Sequence, residues 1–347
     1  MQIKEAAKLL NTTPKTLRFY EEKGLIAPSK DDANQYRYFS ESDLYRVSTI
    51  LALREIGVPV KEIKVLLEKQ SMSIKQYLDI QRSALYEQWI EMRDMILTID
   101  QMVEQVEPNL HSQEVLHQLA NHLKSIKEVR RKWRDRWDFD GQATDYDENI
   151  KKGGFRFNVH EGYDEALVMV EKMVQLQPEE VCVDIGIGTG NLGSRFLQTG
   201  VKVIGVDQSE KMLTKCQEKH PSIETRKGHF LALPLLDGSV DAIVSSYALH
   251  HLTDQEKLHA FEEMLRVLKP GGQLCIADLM FENQAHRERV MRDLKKSGNE
   301  IAVAAIEDEY YGDKSILVTW LRNKGLPVEM LQFNDILGLI YTKKTYE

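Results

Sequence analysis

The stretch that decides the fold runs from residue 181 to residue 190 and reads Val181-Cys182-Val183-Asp184-Ile185-Gly186-Ile187-Gly188-Thr189-Gly190. Its first half is a short apolar run typical of a buried strand, and its second half is a glycine-rich turn. Gly186 and Gly188 allow the backbone to come close to a ligand, and the helix that follows places its N-terminus nearby. We therefore expect a strand, a ligand-binding turn and a helix, the start of an α/β sheet.

A second strand follows about twenty residues later and ends in an acid. Residues 201–206 form a mostly apolar run, and Asp207 comes directly after it. A carboxylate at that strand end suits the two ribose hydroxyls of a nucleoside. The glycine turn alone does not separate a dinucleotide from S-adenosylmethionine.

Three additions favour S-adenosylmethionine. The turn reads Asp-x-Gly-x-Gly-x-Gly, residues 208–213 read Gln-Ser-Glu-Lys-Met-Leu, and residues 265–272 read Leu-Arg-Val-Leu-Lys-Pro-Gly-Gly. With residues 240–244 and 248–252, they make the chain from about 137 to 347 resemble the class I methyltransferases. The resemblance implies an α/β Rossmann-like domain with a mostly parallel, seven-stranded sheet, and S-adenosyl-L-methionine as cofactor.

The resemblance also assigns roles to residues. Asp184 and the glycine turn would hold the amino-acid end of the cofactor, Asp207 the ribose, and residues 228–230 the adenine. The expected cofactor-binding residues are Tyr146, Asp184, Gly186, Gly188, Gly190, Asp207, Gln208, Met212, His229, Phe230 and Ser245. His229 departs from the family pattern, since many relatives have an acid there that contacts the adenine amino group.

Methyl transfer from a sulfonium is an in-line displacement, so the protein has to place a nucleophile and exclude water. A general base helps only when the acceptor carries a proton that must leave. His250 and His251 follow the fourth strand and are the candidate catalytic residues; the alternative is that they line the pocket or cap the next helix. His160 and Glu161 are further candidates at the same opening.

A small-molecule acceptor is expected rather than DNA. Residues 245–248 read Ser-Ser-Tyr-Ala, where amino-methylating DNA enzymes have an Asn/Asp-Pro-Pro-aromatic motif, and no cysteine nucleophile lies there. The net charge of the chain is −8, and most of the negative charge lies in residues 136–347. An acidic catalytic domain disfavours a nucleic-acid substrate.

The first seventy residues have a different pattern. Two short amphipathic helices meet at a tight polar turn, with Thr13 and Pro14 as cap and first residue of the second, and Gly24 at its end. A polar stretch over residues 29–35 predicts a wing, and Ser40 with Asp43 opens a third helix. Residues 16–21, 24–26 and 36–38 together resemble the MerR family of DNA-binding regulators, with Gln35 where that family often has glycine.

This resemblance implies a winged helix-turn-helix that binds promoter DNA. The expected DNA-binding residues are Lys15, Thr16, Arg18, Tyr20, Tyr36 and Arg37. Leu17 and Phe19 are expected in the core, and any single cation is by itself more typical of a solvated surface.

A long helix should follow, because residues 73–106 contain neither glycine nor proline. Apolar residues recur at seven-residue spacing, which predicts a coiled coil: Leu78, Leu85, Met92, Ile99 and Val106. The MerR resemblance implies a homodimer that presents two heads to a near-palindromic site. The alternative is a helix packed on its own C-terminal domain.

The predicted organisation has four parts: residues 1–70 for DNA binding, 71–107 for dimerisation, 108–136 as a helical linker and 137–347 for methyl transfer. The three cysteines lack metal-site spacing, no membrane span is present, and no metal is expected. We expect a cytoplasmic protein. Two functions remain open: a working small-molecule methyltransferase, or a catalytically silent sensor in which S-adenosylmethionine or S-adenosylhomocysteine changes DNA binding.

Overall fold

The computed structural model describes residues 1–31, 36–68, 73–105, 112–132, 137–151 and 158–345. Their contacts divide the chain into two compact units, residues 1–78 and residues 79–347. None of the helices in the described ranges combines the length and apolar character needed to cross a bilayer.

The first unit is a small helical domain with a hairpin. Its elements are α1 (Ile3–Leu9), α2 (Pro14–Glu22), β1 (Ser29–Lys30), β2 (Arg37–Tyr38), α3 (Glu41–Glu55) and α4 (Val60–Glu68). The predicted caps are present: the Thr13 side chain accepts from the Thr16 amide, and Ser40 with Asp43 forms a capping box. The helix-turn-helix prediction is confirmed. β1 and β2 pair as the wing, whose tip with Gln35 lies outside the described residues.

Two predictions on α2 are wrong. Phe19, expected in the core, is 40% exposed, whereas Tyr20, expected at the DNA surface, is only 4% exposed. Positions three apart share a helix face, so Tyr20 joins the fully buried Leu17 and Phe19 points away. Burial also raises the pKa of the Tyr20 hydroxyl. The structure therefore places this ring in the core and not at the surface.

The second unit is built on one sheet. Its strands are β3 (Val181–Ile185), β4 (Lys202–Asp207), β5 (Glu224–Lys227), β6 (Val240–Ser246), β7 (Leu268–Phe281), β8 (Gly312–Asp313), β9 (Val328–Gln332) and β10 (Leu337–Lys343). The order is β5-β4-β3-β6-β7-β10-β9, parallel from β5 to β7 and antiparallel beyond. The Rossmann-like, mostly parallel sheet is confirmed. It includes an eighth strand, since Gly312 and Asp313 pair with the end of β7.

Helices cover this sheet. They are α5 (Ile74–Gln105, whose first turn belongs to the first unit), α6 (Ser112–Lys132), α7 (Phe139–Gln142), α8 (Tyr146–Lys151), α9 (Tyr163–Met173), α10 (Gly193–Phe196), α11 (Glu210–Lys219), α12 (Asp254–Val267), α13 (Gln284–Lys296), α14 (Glu300–Asp308) and α15 (Lys314–Asn323). Consecutive strand residues such as Cys182 and Val183 belong to two separate apolar clusters, one on each face of the sheet. Successive side chains of a strand point to opposite faces, so both faces are covered.

The helix α5 packs within the second unit along one face and leaves part of its seven-residue repeat exposed. One face packs within the second unit: Ile90 is fully buried, and Asp94 pairs with Arg130 of α6 at 2.5 Å. Three residues of the seven-residue repeat are more than half exposed, Leu85 at 58%, Met92 at 57% and Ile99 at 56%, and Leu78 is 36% exposed. Val106 lies outside the described residues. The dimerisation segment expected at 71–107 is thus not a unit of its own, and the coiled coil stays a prediction.

Candidate cofactor and acceptor site

A cavity of about 390 Å³ opens where β3, β4 and β6 end, the edge at which open α/β sheets bind ligands. One part, here the cofactor half, contains eight of the predicted cofactor residues: Tyr146, Gly186, Gly188, Asp207, Gln208, Met212, His229 and Phe230. The other part, here the acceptor half, is lined by Trp137, Phe139, His160, Tyr247, His250, His251, Glu309 and Tyr311. The structure therefore brings most of the predicted residues together.

The glycine turn needs glycine at Gly186 because of its space and its backbone, and at Gly188 because of its backbone. Gly186 has a φ of +70°, and a Cβ there would lie 2.4 Å from the Cβ of Ala248. Gly188 has a φ of +54°, and its amide donates to Asp207 Oδ2 at 2.9 Å. Asp207 Oδ1 accepts from the Ser209 amide at 2.9 Å. These bonds fix the carboxylate against the turn, so its orientation is set by the backbone.

Three predicted residues do not line the cavity: Asp184, Gly190 and Ser245. Asp184 is 1% exposed, and its Oδ2 accepts from the Gly193 amide at 2.8 Å. Burial raises the pKa of this carboxyl to about 8. Ser245 donates to the Ile185 carbonyl at 2.7 Å, and a Cβ on Gly190 would meet the His220 ring at 2.7 Å. Their contacts shape the turn rather than the cavity wall.

The helix α8 is fastened to the glycine turn through Asp147. Its Oδ1 accepts from Thr189 Oγ1 at 2.6 Å and from Asn191 Nδ2 at 3.0 Å, while Oδ2 lies 2.6 Å from Lys219 Nζ. The neighbouring Tyr146 is thereby held over the turn. Tyr146 therefore lines the cavity, and Asp147 anchors its helix to the turn.

His229 is neutral in this environment. Burial, helped by the charge of Arg130, lowers the pKa of His229 to about 4. Its Nδ1 accepts from the Leu231 amide at 3.3 Å, and Nε2 lies 4.0 Å from Glu87 Oε1 of α5. The cofactor half thus presents an uncharged ring at this position.

His250 is held between two carboxylates. Its Nδ1 lies 2.5 Å from Asp278 Oδ1, and its Nε2 lies 3.5 Å from Glu309 Oε2. Asp278 also accepts from the amides of Ala248 at 2.9 Å and Leu279 at 2.6 Å. Burial alone would lower the pKa of His250, but Asp278 and Glu309 raise it above its usual value.

His251 lies on the cavity side of this pair. Its ring centroid is 4.4 Å from that of Trp137 and 4.9 Å from that of Phe139. Burial, with the adjacent His250, lowers the pKa of His251 to about 2. His251 is therefore a neutral ring between aromatic side chains.

The acceptor half contains buried polar atoms that lack hydrogen-bond partners among the described residues: Tyr247 Oη, Tyr311 Oη, His160 Nδ1 and His251 Nδ1. Buried polar groups are normally paired, and each exception needs an explanation. A polar ligand bound in this half would explain these atoms, because it would supply their hydrogen-bond partners.

Sequence reasoning assigned no role to several residues of this half. Asp278 had a detectable signal, because it is an acid inside the apolar run of residues 274–281, and burying a carboxylate is costly unless it is paired. Trp137, Phe139, Glu309 and Tyr311 belong to segments far from the glycine turn in the sequence, and no spacing links them to it.

In the first unit, Lys15 and Arg18 are exposed and Tyr36 is 59% exposed. The Thr16 hydroxyl is 2.8 Å from that of Thr13. Arg37 Nε lies 2.5 Å from Glu21 Oε2, so the wing cation is partly neutralised. The DNA-contact set stays a prediction, with Tyr20 removed for the reason given above.

Comparisons with known proteins match both units. A family model described as a methyltransferase domain matches residues 182–272, and one described as a MerR HTH family regulatory protein matches residues 1–70. An uncharacterized methyltransferase of Oceanobacillus iheyensis is 32% identical over 207 residues, 59% of this chain and 95% of the relative. The uncharacterized methyltransferase YrrT of Halobacillus halophilus is 31% identical over the same shares.

Among solved structures, the magnesium protoporphyrin IX methyltransferase of Synechocystis, with bound SAH, has a TM-score of 0.47 and 17% identity. The match covers 60% of this chain and 96% of that one. The sequence matches carry the assignment. The chain belongs to the methyltransferase family and carries a MerR-type helix-turn-helix at residues 1–70.

Proposed function

We propose that the second unit is an S-adenosylmethionine-dependent methyltransferase for a small-molecule acceptor, in a protein whose first unit binds promoter DNA. The observation that carries the proposal is the cavity itself. Its cofactor half is fixed by backbone hydrogen bonds, and its acceptor half holds unpartnered polar atoms between aromatic walls. Its volume falls in the range of small-molecule sites.

S-adenosylmethionine would supply an electrophilic methyl group on a sulfonium sulfur. Asp207 would bind the ribose hydroxyls, because the amides of Gly188 and Ser209 hold its carboxylate at the end of β4. Gly186 and Gly188 allow close backbone approach, and Phe230 offers an apolar ring to the adenine. These residues bind and orient; none of them needs to transfer a proton.

The acceptor would lie against Tyr247, Tyr311, His160 and His251, whose free polar atoms suit hydroxyl, amine or carbonyl groups. Trp137 and Phe139 exclude water beside His251. Of the two histidines expected to act as a base, His250 has both nitrogens facing carboxylates. His251 is the one with a nitrogen available to the acceptor.

For the first unit we propose that Lys15, Arg18, Tyr36 and Arg37 contact phosphates or base edges of a near-palindromic promoter. The exposed repeat of α5 would pair with that of a second copy, because an apolar stripe of this length is rarely left in water. Homodimerisation would give two DNA-reading heads.

The decisive experiment is turnover. Purified full-length protein is incubated with S-adenosylmethionine and pools of small phenols, amines and thiols, and S-adenosylhomocysteine is measured. We expect acceptor-dependent product, which Asp207→Ala abolishes. Tight cofactor binding with no turnover across the pools would count against the enzyme and favour the alternative below.

One observation favours a sensor as second candidate. The Lys227 amide donates to Asp79 of α5 at 2.9 Å, and Arg130 of α6 donates to the Leu231 carbonyl at 2.9 Å. These contacts lie on either side of residues 228–230 in the cofactor half. A ligand that moves this loop would therefore change the position of α5. A difference of about 1–3 kcal/mol in the free energy of ligand binding between two conformations of the protein suffices for a useful response.

The sensor is tested by affinity for DNA selected from a random pool. We expect the dissociation constant to change at least fivefold between ligand-free protein and protein saturated with S-adenosylmethionine or S-adenosylhomocysteine. Equal affinities in the three states would remove this candidate.

A further inference from the structure

Two histidines and a glutamate meet at one point of the acceptor half. One ligand-type atom each from His250, His251 and Glu309 lies within 4.8 Å of the other two. His250 and His251 are consecutive in a short 3-10 turn, yet their ring centroids are only 4.0 Å apart. Glu309 reaches them from beyond the end of α14. The fold thus converges three metal-binding side chains from two distant segments.

The spacing matches a coordination sphere. His250 Nε2 and Glu309 Oε2 are 3.5 Å apart. Two ligands that are each about 2.1 Å from a tetrahedral ion stand about 3.4 Å from one another. The carboxylate and imidazole can therefore share an ion with little movement.

The surroundings of His250 match those of a metal ligand. Asp278 holds Nδ1 at 2.5 Å and is itself fixed by backbone amides, which leaves Nε2 aimed at Glu309. A carboxylate behind a histidine is the usual support for a metal-bound imidazole. The unpartnered Nδ1 of His251 is a separate observation, because that buried nitrogen lacks a partner among the described residues.

The geometry points to a binding site for a divalent transition-metal ion of the zinc type, formed by His250, His251 and Glu309 and supported by Asp278. Two imidazoles and one carboxylate suit zinc or ferrous iron and not magnesium or calcium, which prefer oxygen ligands. A dication would balance the carboxylates of Asp278 and Glu309 on either side of His250.

Three protein ligands leave a fourth position open, and all three ligands line the cavity. That position would take a hydroxyl or thiol of the acceptor, holding its lone pair toward the methyl group. The acceptor loses its proton to water, its heteroatom forms the bond to the methyl carbon, and the carbon–sulfonium bond breaks. This consequence rests on the proposed function, whereas the metal site itself does not.

The test uses full-length protein stripped with a chelator and then titrated with Co²⁺ or Zn²⁺ alone. We expect one equivalent of metal per chain and visible Co²⁺ absorption typical of four-coordination. Glu309→Gln and His251→Asn should each weaken binding at least tenfold. Asp278→Asn should weaken it by about 10–100-fold, because His250 Nδ1 loses the carboxylate that orients the ring. His259→Gln is the matched control, because His259 pairs with Glu262 away from the cavity.

Thermal melting of each variant confirms that it is folded. The proposal is overturned if the wild type does not bind either ion, or if Glu309→Gln and His251→Asn titrate like the wild type. Cofactor binding is measured in the same samples. Metal bound without cofactor binding or turnover would contradict the proposed function alone, and cofactor turnover by protein that binds neither ion would overturn this inference alone.

Discussion

The cofactor half and the acceptor half of the cavity differ in where their polar groups come from in the sequence and in how these groups are paired. In the cofactor half, the Asp207 carboxylate is tied to the backbone amides of Gly188 and Ser209, which lie within two short stretches of chain. In the acceptor half, the polar atoms come from four separated segments, and several are unpaired. The difference shows that cofactor recognition is a local property of sequence, whereas acceptor recognition depends on the assembled fold.

The largest expected effect of a substitution is on cofactor affinity, in the cofactor half. Asp207→Ala removes the ribose acceptor and frees the amides of Gly188 and Ser209. Hydrogen bonds to a charged group are each worth about 1.5–3 kcal/mol, so affinity for S-adenosylmethionine should fall at least ~100-fold in calorimetry.

Asp335→Ala is the control for Asp207→Ala, since its side chain is 78% exposed. It should leave cofactor affinity unchanged, and both variants should bind DNA as the wild type does. Cofactor affinity within threefold of the wild type in Asp207→Ala would contradict the assignment of the ribose site.

A smaller effect is expected in the acceptor half. Tyr247→Phe and Tyr311→Phe each remove a hydroxyl that has no partner in the described structure, so kcat/KM for an identified acceptor should fall about tenfold. The melting temperature should stay constant or rise, because no protein hydrogen bond is lost.

The matched control for these tyrosines is Tyr341→Phe, because that hydroxyl bonds Gln273 at 3.0 Å. It should cost stability and leave kcat/KM unchanged. If Tyr247→Phe and Tyr311→Phe instead lowered stability and spared turnover, their hydroxyls would be structural.

The smallest expected effect is on the pH dependence of stability, through His229 in the cofactor half. The pKa of His229 is lowered from 6.5 to about 4 by burial and by Arg130. The unfolded chain therefore binds more protons than the native one between these values, so the stability that depends on this neutral ring is complete above pH 6.5. It is lost as the pH falls toward 4.

At pH 5.5 the expected loss is about 1 kcal/mol. His229→Gln should flatten the fall of the melting temperature between pH 7.5 and 5.5, and the exposed His117 replaced by Gln should not. An unchanged pH profile in His229→Gln would show that this ring is not buried in its neutral form.

The same contrast separates the features that could be predicted from the sequence from those that could not. The turn at residues 186–190, Asp207 at the end of β4 and the caps at Thr13 and Ser40 depend on interactions within a few residues, and the structure has them where the sequence predicts. The ligand contacts of the turn and of Asp207 stay predictions. The pairing of His250 with Asp278 joins residues 28 apart through strand register, and no local pattern encodes it.

The errors have the same origin. Phe19 was expected in the core, and Tyr20 was expected at the DNA surface by resemblance; helical phase reverses both. Asp184 and Ser245 were expected at the cofactor by resemblance, but both side chains are buried within strands and bond backbone atoms. The heptad pattern of α5 can be read from the sequence. The face of α5 that packs within the second unit cannot, because it depends on the ion pair between Asp94 and Arg130 of α6.

The most direct test of the central claim is calorimetric titration of S-adenosylmethionine into the full-length protein. We predict one molecule bound per chain with a dissociation constant in the micromolar range, competed by S-adenosylhomocysteine and lost in Asp207→Ala. No binding heat and no competition at millimolar ligand would contradict the account of this cavity.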